Sequence, residues 1–348
     1  MNIQETLGLA PVAVYPKNKQ DLNGPCKSLL YGVELEMEDV KYWEDWVMDG
    51  IIRVADGSLR NNGSEFITQP MNFTTLQEIL TKFFVRNKVK ESNVTERTSV
   101  HVHVNCQDLT SEQVVNICLI YQVVEKLLFA FAGKDREDSI FCVPWHQTTL
   151  SGSIFTDIHS ILHKLKTWHK YTALNLLPLF EYGTVEFRHL AGQTNVEVIL
   201  TWCRLIGHMV KYAKENTLEA VEQTLMHLNT NSQYKNLLDA IFKEDAGHLL
   251  QFNFTNLLED GVLDFKFSIL SKFNKKEVKS KPLDNDDTYA RIRAQVDRAI
   301  ARPRPAPLLR PAQDRDLTTF WQNQEARLPQ ISIDDLVAEF TSEEEGDF

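Results

Sequence analysis

Residues 32–38 alternate glutamates with apolar side chains, which is the two-residue period of a β-strand. On such a strand Glu34, Glu36 and Glu38 would share one face. Neighbouring strands lie about 5 Å apart, so carboxylates placed in this way repel one another unless a cation or strong hydrogen-bond donors lie above them. Hard divalent cations bind oxygen ligands, and the stretch therefore favours a metal site. The alternative that it leaves open is a solvated edge strand with a charged outer face.

Residues 99–105 have the same period and carry two histidines. His101, His103 and Asn105 would share a face, with valines on the other face. Imidazoles at positions i and i+2 of a strand lie on one surface and can serve a single site. A single histidine is most often a structural residue, but a valine-backed pair favours a functional role.

Two further stretches add charged groups with the same alternation. Glu186 and Arg188 share a face within 184–189, and Glu65 lies within the predicted strand 64–68. Paired in one antiparallel sheet, the four strands would display carboxylates, imidazoles and a guanidinium on one face and would leave an apolar face for helices. Two or more divalent cations would balance the carboxylates, and arginine suits phosphate. Such a set is the apparatus of phosphoryl transfer, although the sequence has no Walker A motif.

The rest of the chain supplies the elements that must position these strands. Its patterns predict a strand at 51–54, a strand or turn at 170–175, and helices over 74–84, 111–131, 196–214 and 218–228, with weaker ones to about 272. Polar connections are predicted at 41–46, at 134–152, and around His159, His163 and Lys166. We expect the connection at 134–152 to cover the site as a lid.

The composition is that of an ordinary globular protein and excludes some classes of function. The chain has 348 residues, 43% of them hydrophobic, and a formal net charge of −11. This acidic balance argues against a dedicated nucleic-acid binder. The five scattered cysteines, without a Cys-x-x-Cys, suit a reducing compartment and predict neither a disulfide framework nor a zinc knuckle. We find no secretion signal and no apolar run of about 20 residues, so we expect a cytoplasmic protein without a membrane partner.

The chain is predicted to have three parts. Residues 1–28 form an irregular N-terminal arm, residues 29–275 form the catalytic domain, and residues 276–348 form a largely disordered, extended tail. The tail holds a Pro/Arg-rich stretch at 301–307 and an acidic tip at 342–347. It is either a docking segment for a protein partner or a solvated appendage.

Four motifs occur in order along the chain. They are Gly32-Val33-Glu34-Leu35-Glu36, Asp56-Gly57-Ser58-Leu59 with Gly63-Ser64-Glu65-Phe66, His101-Val102-His103-Val104-Asn105, and Thr184-Val185-Glu186-Phe187-Arg188. This set resembles that of the amidoligase family of the carboxylate–amine ligase superfamily, which also holds glutamine synthetase and the glutamate–cysteine ligases. The resemblance covers about residues 30–215. It implies an α+β fold whose antiparallel sheet forms an open funnel of the glutamine synthetase type, covered by helices on its apolar face, with ATP entering at one end and metals along its floor.

The resemblance also implies roles for individual residues. The metal ligands, for Mg²⁺ or Mn²⁺, would be Glu34, Glu36, Glu65, His101 and Glu186. Nucleotide binding would fall to Arg188, His103 and Asn175, and catalysis to Arg188, Glu186 and His103. Asn175 and Arg136 match polar substrate-side groups of the family loosely, and Lys170 stands where the family has an arginine.

The implied activity is that of an ATP-dependent ligase. ATP phosphorylates the carboxylate of a small molecule or peptide to an acyl phosphate, and an amine then attacks to give an amide, ADP and phosphate. Two alternatives remain open from the residues themselves. One is a metal-dependent hydrolase or cupin-like oxygenase, which would bind Fe, Mn or Zn and need no ATP. The other is a non-catalytic interaction protein on the same fold that uses the tail to bind its partner.

Overall fold

One antiparallel sheet forms the centre of the protein. The structure, a computed structural model, describes residues 1–26, 29–40, 47–148 and 170–277. The strands of this sheet are β1 (Tyr31–Met37), β2 (Ile51–Val54), β3 (Ser64–Thr68), β4 (Ser99–Asn105), β5 (Leu174–Asn175) and β6 (Thr184–Ala191). Their order across the sheet is β2-β3-β1-β4-β6-β5, and each neighbouring pair is antiparallel. The strands predicted from alternation are confirmed: β2, β3 and β4 have the predicted bounds, and those of β1 and β6 differ by one or two residues.

Helices cover one face of this sheet. They are α1 (Ile3–Leu7), α2 (Phe73–Asn87), α3 (Ser111–Ala132), α4 (Pro178–Glu181), α5 (Val196–Glu215), α6 (Leu218–Met226), α7 (Asn231–Phe242), α8 (Gly247–Leu250) and α9 (Phe254–Glu277). The mixed α+β class and the open antiparallel sheet are confirmed. A funnel of the glutamine synthetase type stays a prediction.

The apolar face of the sheet and the helices on it form the main core. Val33, Val102 and Phe187 have no exposed surface. Helix α5 lies directly against this face, because a Cβ added to its Gly207 would sit 2.0 Å from the hydroxyl of Tyr31 on β1. Burying these side chains leaves the opposite face of the same strands to the polar residues.

Helix α3 is the central helix of the core. Thr110 forms a capping box with Gln113 at its start, and Gly133, with φ at 125°, follows its last residue. Among the described helices it alone is long and apolar enough to cross a membrane, and 83% of that apolar window is buried inside the protein. The expectation that no apolar segment reaches such a length is therefore not confirmed. The burial of α3 explains its composition, because a helix enclosed by protein must be apolar on all sides.

The N-terminal arm contains a single short helix among its described residues, 1–26. Asn2 caps α1 in a capping box with Glu5 and also forms a β-bridge with Thr110. Ile3 is fully buried, and Tyr15 is 5% exposed. The arm is thus packed onto the domain at the start of α3.

The predicted lid is a packed segment where it is described. Residues 134–148 contain short 3-10 turns at Lys134–Asp138 and Trp145–Gln147. Cys142 and Trp145 are at most 2% exposed, so these two side chains are packed inside the protein, and the role of the segment as a lid stays a prediction.

Several predicted segments lie outside the described residues. These are the connection at 41–46, the end of the predicted lid from 149 to 152, the segment with His159, His163 and Lys166, and the tail from 278 onward. Helix α9 continues to Glu277, two residues past the boundary predicted at 275.

Candidate metal and phosphate site

The strand register brings the predicted ligands together on the face opposite to the helices. The directly opposed pairs are Glu34–His101, Glu36–Glu65 and His103–Glu186. Residues directly opposite each other in adjacent strands share a face, with Cβ atoms about 5 Å apart. The sequence fixes which residues share a face along each strand, and the pairing of the strands makes those faces one surface.

The first group of ligand atoms joins β1, β4 and β6. His101 Nδ1 lies 3.1 Å from Glu34 Oε2 and 3.6 Å from Glu186 Oε1. The side chains of His101 and Glu186 are 3% and 4% exposed, and that of Glu34 is 21% exposed. Each of the three offers a ligand atom within 4.8 Å of the other two, so the trio can hold a metal ion.

The second group joins β1, β3 and β4 and uses the same histidine. His101 Nε2 lies 3.7 Å from Glu36 Oε1, and Glu65 completes a set whose ligand atoms also lie within 4.8 Å of one another. Ser99 donates a hydrogen bond to Glu36 Oε2 at 2.5 Å, and its Oγ lies 2.8 Å from His101 Nε2. Ser99 therefore supports two members of this group at once.

His103 lies at the more open side of the two groups. Its Nε2 is 3.2 Å from Glu34 Oε1 and 4.0 Å from Glu186 Oε1, and its side chain is 16% exposed. Its Nδ1 lies 2.9 Å from Thr184 Oγ1, which orients the ring. His103 is thus close to the first group, and it is more exposed than His101 and Glu186, which suits a contact with a bound molecule.

Arg188 and Asn175 both hold Glu186. Arg188 Nη1 donates to Glu186 Oε1 in a short charge-assisted hydrogen bond, and Asn175 Nδ2 donates to Oε2 at 2.7 Å. The guanidinium also lies 5.7 Å from the centroid of the Tyr171 ring. These contacts fix Arg188 beside the ligand groups, where the predicted contact with phosphate would be made.

The electrostatics of β1 and β3 show why the carboxylates need a partner. Burial opposes ionisation of Glu34, but hydrogen bonds with His101 and His103 hold the pKa of its carboxyl well below the usual value. Burial, followed by the negative charges of Glu34 and Glu36, raises the pKa of Glu65 to about 9. Without a cation, a proton on Glu65 thus stabilises the cluster near neutral pH.

The β6 side of the site is balanced by protein groups. Burial opposes ionisation of Glu186, but the positive charge of Arg188 and the two histidines lower its pKa. Burial likewise disfavours the charged form of His103, and Glu34 and Glu186 more than offset this and raise its pKa. Negative charge is therefore least compensated around Glu36 and Glu65.

The donor set fits hard divalent cations. Four carboxylates and one shared imidazole make up the two groups. Oxygen-rich sets of this kind suit Mg²⁺ or Mn²⁺, whereas the usual iron oxygenase set has two histidines and one carboxylate. Glu36 and Glu65 lie directly opposite each other on β1 and β3, and this pairing of two carboxylates favours a bound cation over a purely internal hydrogen-bond network.

Sequence reasoning placed two residues wrongly or loosely. Glu38 follows β1, and its carboxylate accepts hydrogen bonds from the backbone of Arg60 and the side chain of Asn61, so it orders a loop. Arg136, suggested as a substrate-side group, is 4% exposed and donates to the main-chain carbonyls of Arg188 and His189. Arg136 therefore braces strand β6 from outside the ligand groups.

Sequence reasoning also missed supporting residues. Ser99 lies two positions before His101, so the alternation contains a signal for it, but serine is too common in strands for the type to stand out. Thr184 and Tyr171 become visible only through the pairing and packing of β6. Lys170 Nζ lies 4.8 Å from the centroid of the Tyr171 ring, and the guanidinium of Arg188 lies 5.7 Å from the same centroid.

The comparisons with known proteins bear on this geometry. Residues 61–210 match the family model described as "Putative amidoligase enzyme". A comparison with curated proteins found no match. The matched region contains Glu65, His101, His103, Glu186 and Arg188, whereas Glu34 and Glu36 on β1 precede it. The family name indicates an enzyme that forms amide bonds, and membership of the wider carboxylate–amine ligase superfamily stays a prediction.

Proposed function

We propose that the protein is an ATP-dependent carboxylate–amine ligase, which forms an amide through an acyl phosphate at a site for two or more Mg²⁺ or Mn²⁺ ions. The observation that carries the proposal is the pair of overlapping ligand groups that share His101 on one sheet face. The amidoligase match over residues 61–210 supports the reaction class.

The ligand groups and Arg188 would divide the work of phosphoryl transfer. Bound cations would neutralise the charge that develops on the transferring phosphoryl group. Arg188 would donate hydrogen bonds to phosphate oxygens from a position already fixed by Glu186 and the ring of Tyr171. Because the guanidinium does not have to be ordered when the nucleotide arrives, less entropy is lost on binding.

The reaction has two balanced steps. A substrate carboxylate oxygen forms a bond to the γ-phosphorus of ATP, and the bond from that phosphorus to the β,γ-bridging oxygen breaks to release ADP. The amine nitrogen then bonds to the acyl carbon, the amine gives up a proton, and phosphate leaves. His103 lies at the exposed side of the ligand groups, where it would contact the nucleotide or the reacting carboxylate.

Nucleotide binding tests the proposal directly. Calorimetric titration with ATP should show binding in the presence of Mg²⁺ or Mn²⁺ and none in the presence of a chelator. Glu36→Ala should abolish this binding and keep the circular dichroism and melting temperature of a folded protein. Glu96→Ala, which removes one exposed carboxylate from the loop before β4, is the matched control and should bind ATP like the unmodified protein.

Turnover tests the reaction class. Phosphate release from ATP should require both a carboxylic acid and an amine from a panel of each, and hydroxylamine in place of the amine should give a hydroxamate. Binding of ATP that is indifferent to metal, or equal in Glu36→Ala and the control, would refute the ligase proposal. Hydrolysis of a substrate without ATP would instead favour the metal-dependent hydrolase.

A further inference from the structure

A second group of metal-ligating side chains lies on the helical side of the protein. It consists of His208 on α5 together with Glu244 and Asp245 in the 3-10 turn Lys243–Asp245, which connects α7 to α8. Helix α5 packs on the apolar face of the sheet through Gly207 and Tyr31, so this group lies across the core from the candidate active site.

The spacing of these three side chains fits one ion. His208 Nε2 is 3.2 Å from Asp245 Oδ2 and 3.7 Å from Glu244 Oε1. Four ligands at bond lengths of about 2.0–2.1 Å around a tetrahedral zinc ion lie about 3.4 Å apart. The two separations from His208 bracket that value, and the ligand atoms of all three residues lie within 4.8 Å of one another.

His208 provides the independent observation that points to a ligand. It is 4% exposed, yet within the described chain neither of its ring nitrogens has a hydrogen-bond partner. The oxygens nearest to Nε2 are Asp245 Oδ2 at 3.2 Å and Glu244 Oε1 at 3.7 Å, so this nitrogen faces both carboxylates without a well-formed hydrogen bond to either. A buried ring nitrogen that makes no hydrogen bond has lost its hydration, and coordination through Nε2 would supply a partner.

The surroundings of Asp245 hold its carboxylate in place. Arg204 donates through Nε to both carboxylate oxygens at 3.0 Å and through Nη2 to Thr201 Oγ1 at 3.1 Å. Each carboxylate oxygen has a second lone pair that remains available to a cation. The positive charge of Arg204 reduces the affinity, so we expect a weaker site than a structural zinc site made of cysteines.

We propose that His208, Glu244 and Asp245 bind a zinc ion and thereby tie α5 to the turn between α7 and α8. The mixed imidazole and carboxylate donors suit zinc better than magnesium, which takes oxygen ligands and keeps its waters. Glu244 is 77% exposed and opens the group to solvent, so water can take the fourth position. His248, whose Nε2 lies 3.8 Å from Asp245 Oδ1, borders the same opening.

The test uses Zn²⁺ itself on the full chain, in competition with a chromophoric chelator. The exposed ligand is the position to change, because Glu244→Gln leaves the buried packing intact. It should weaken one zinc site by roughly tenfold or more. Glu219→Gln, which removes an exposed glutamate on α6, is the matched control and should change nothing.

A second variant, Glu36→Gln, distinguishes zinc binding at this site from zinc binding at the candidate site on the sheet. Glu36→Gln should weaken zinc binding at the sheet but leave the site that depends on Glu244. The zinc-induced rise in melting temperature should persist in Glu36→Gln and shrink in Glu244→Gln. Equal zinc affinity in Glu244→Gln and in Glu219→Gln would overturn the proposal, as would loss of all zinc binding in Glu36→Gln. In that case His208, Asp245 and Arg204 would form a structural ion cluster only.

Discussion

Ser99→Ala is the sharpest test of how the candidate site is built. Ser99 is 2% exposed and donates to Glu36 Oε2, while its Oγ also lies 2.8 Å from His101 Nε2. The substitution removes one oxygen and leaves the strand and its apolar face unchanged. It therefore isolates the support that one hydroxyl gives to two proposed metal ligands.

The expected magnitude follows from the kind of contact that is lost. A hydrogen bond to a charged group contributes about 1.5–3 kcal/mol to folding, so the free energy of unfolding should fall by about that amount in the metal-free protein. Loss of a group that orients a ligand lowers metal affinity by roughly 10–100-fold, or about 1.4–2.7 kcal/mol. The effect on Mn²⁺ binding should therefore be of about the same size as the effect on folding.

Mn²⁺ titration and urea unfolding at one pH measure the two quantities. Ser64→Ala is the matched control, because Ser64 is a buried strand serine on β3 that pairs with Met37 and accepts a hydrogen bond from Arg53, on the other face of the sheet. It should lower stability but leave Mn²⁺ affinity within about twofold. If Ser99→Ala also binds Mn²⁺ with unchanged affinity, Ser99 does not support metal ligands and the assignment of the second ligand group is wrong.

Two further predictions concern the network behind β6. The buried carboxylate of Glu125 accepts hydrogen bonds from Tyr121, from the backbone of Trp145, and from the backbone and ring of His146. Glu125→Ala should therefore lower the free energy of unfolding by about 3–5 kcal/mol in urea titrations. A loss under about 1 kcal/mol would show that these hydrogen bonds do not stabilise the fold. Burial, followed by the charge of Arg136, lowers the pKa of His189 to about 3, so the folded protein keeps the ring neutral while the unfolded chain protonates near pH 6.5. The contribution of the neutral His189 ring to the free energy of unfolding is fully present above about pH 6.5. It declines as pH falls toward 3, by about 1.4 kcal/mol per pH unit. His189→Phe, which keeps an aromatic ring in the same place, should flatten this part of the stability profile, and parallel profiles for the two proteins would refute the assignment.

The experiments with Mg²⁺ or Mn²⁺ and ATP test the ligands on the sheet, and the experiments with Zn²⁺ test the ligands on the helical side. One proposal can therefore fail while the other holds. Glu36→Ala tests the sheet face and the ligase proposal, whereas Glu244→Gln tests the helical layer. The two sites lie on opposite sides of the core, so substitutions at one should leave binding at the other unchanged. The melting temperature of each variant shows that it remains folded, so a loss of binding at both sites in a folded variant would contradict their independence.

The sequence predicted the strands of the site well because each strand carries apolar side chains on one face and polar side chains on the other. Burial of Val33, Leu35 and Met37 forces the intervening positions of β1 to the other side, and the same holds for the valines of β4. The alternation thus carries both the element and its orientation. Helix α9 was predicted only weakly, because its position is set by packing on α3 rather than by a strong period of its own.

Predictions from residue type alone were less dependable. Glu38 continues the alternation of Glu34 and Glu36 but falls one residue past the end of β1, and there it binds the backbone of Arg60. Arg136 has the charge expected of a substrate-binding residue, yet its guanidinium donates hydrogen bonds to backbone carbonyls of β6. In both cases a charged side chain satisfies main-chain groups that a sequence pattern does not display.

The sequence by itself determined which side chains of β1 and β4 face away from the apolar core, since a two-residue period leaves no other arrangement along these strands. Only the tertiary structure decided that β1 lies between β3 and β4, and that β6 follows β4. This order sets Glu36 opposite Glu65 and His103 opposite Glu186, and it places His101 where both ligand groups can share it. Strand order depends on contacts between residues far apart in the chain, and local periodicity carries no information about them.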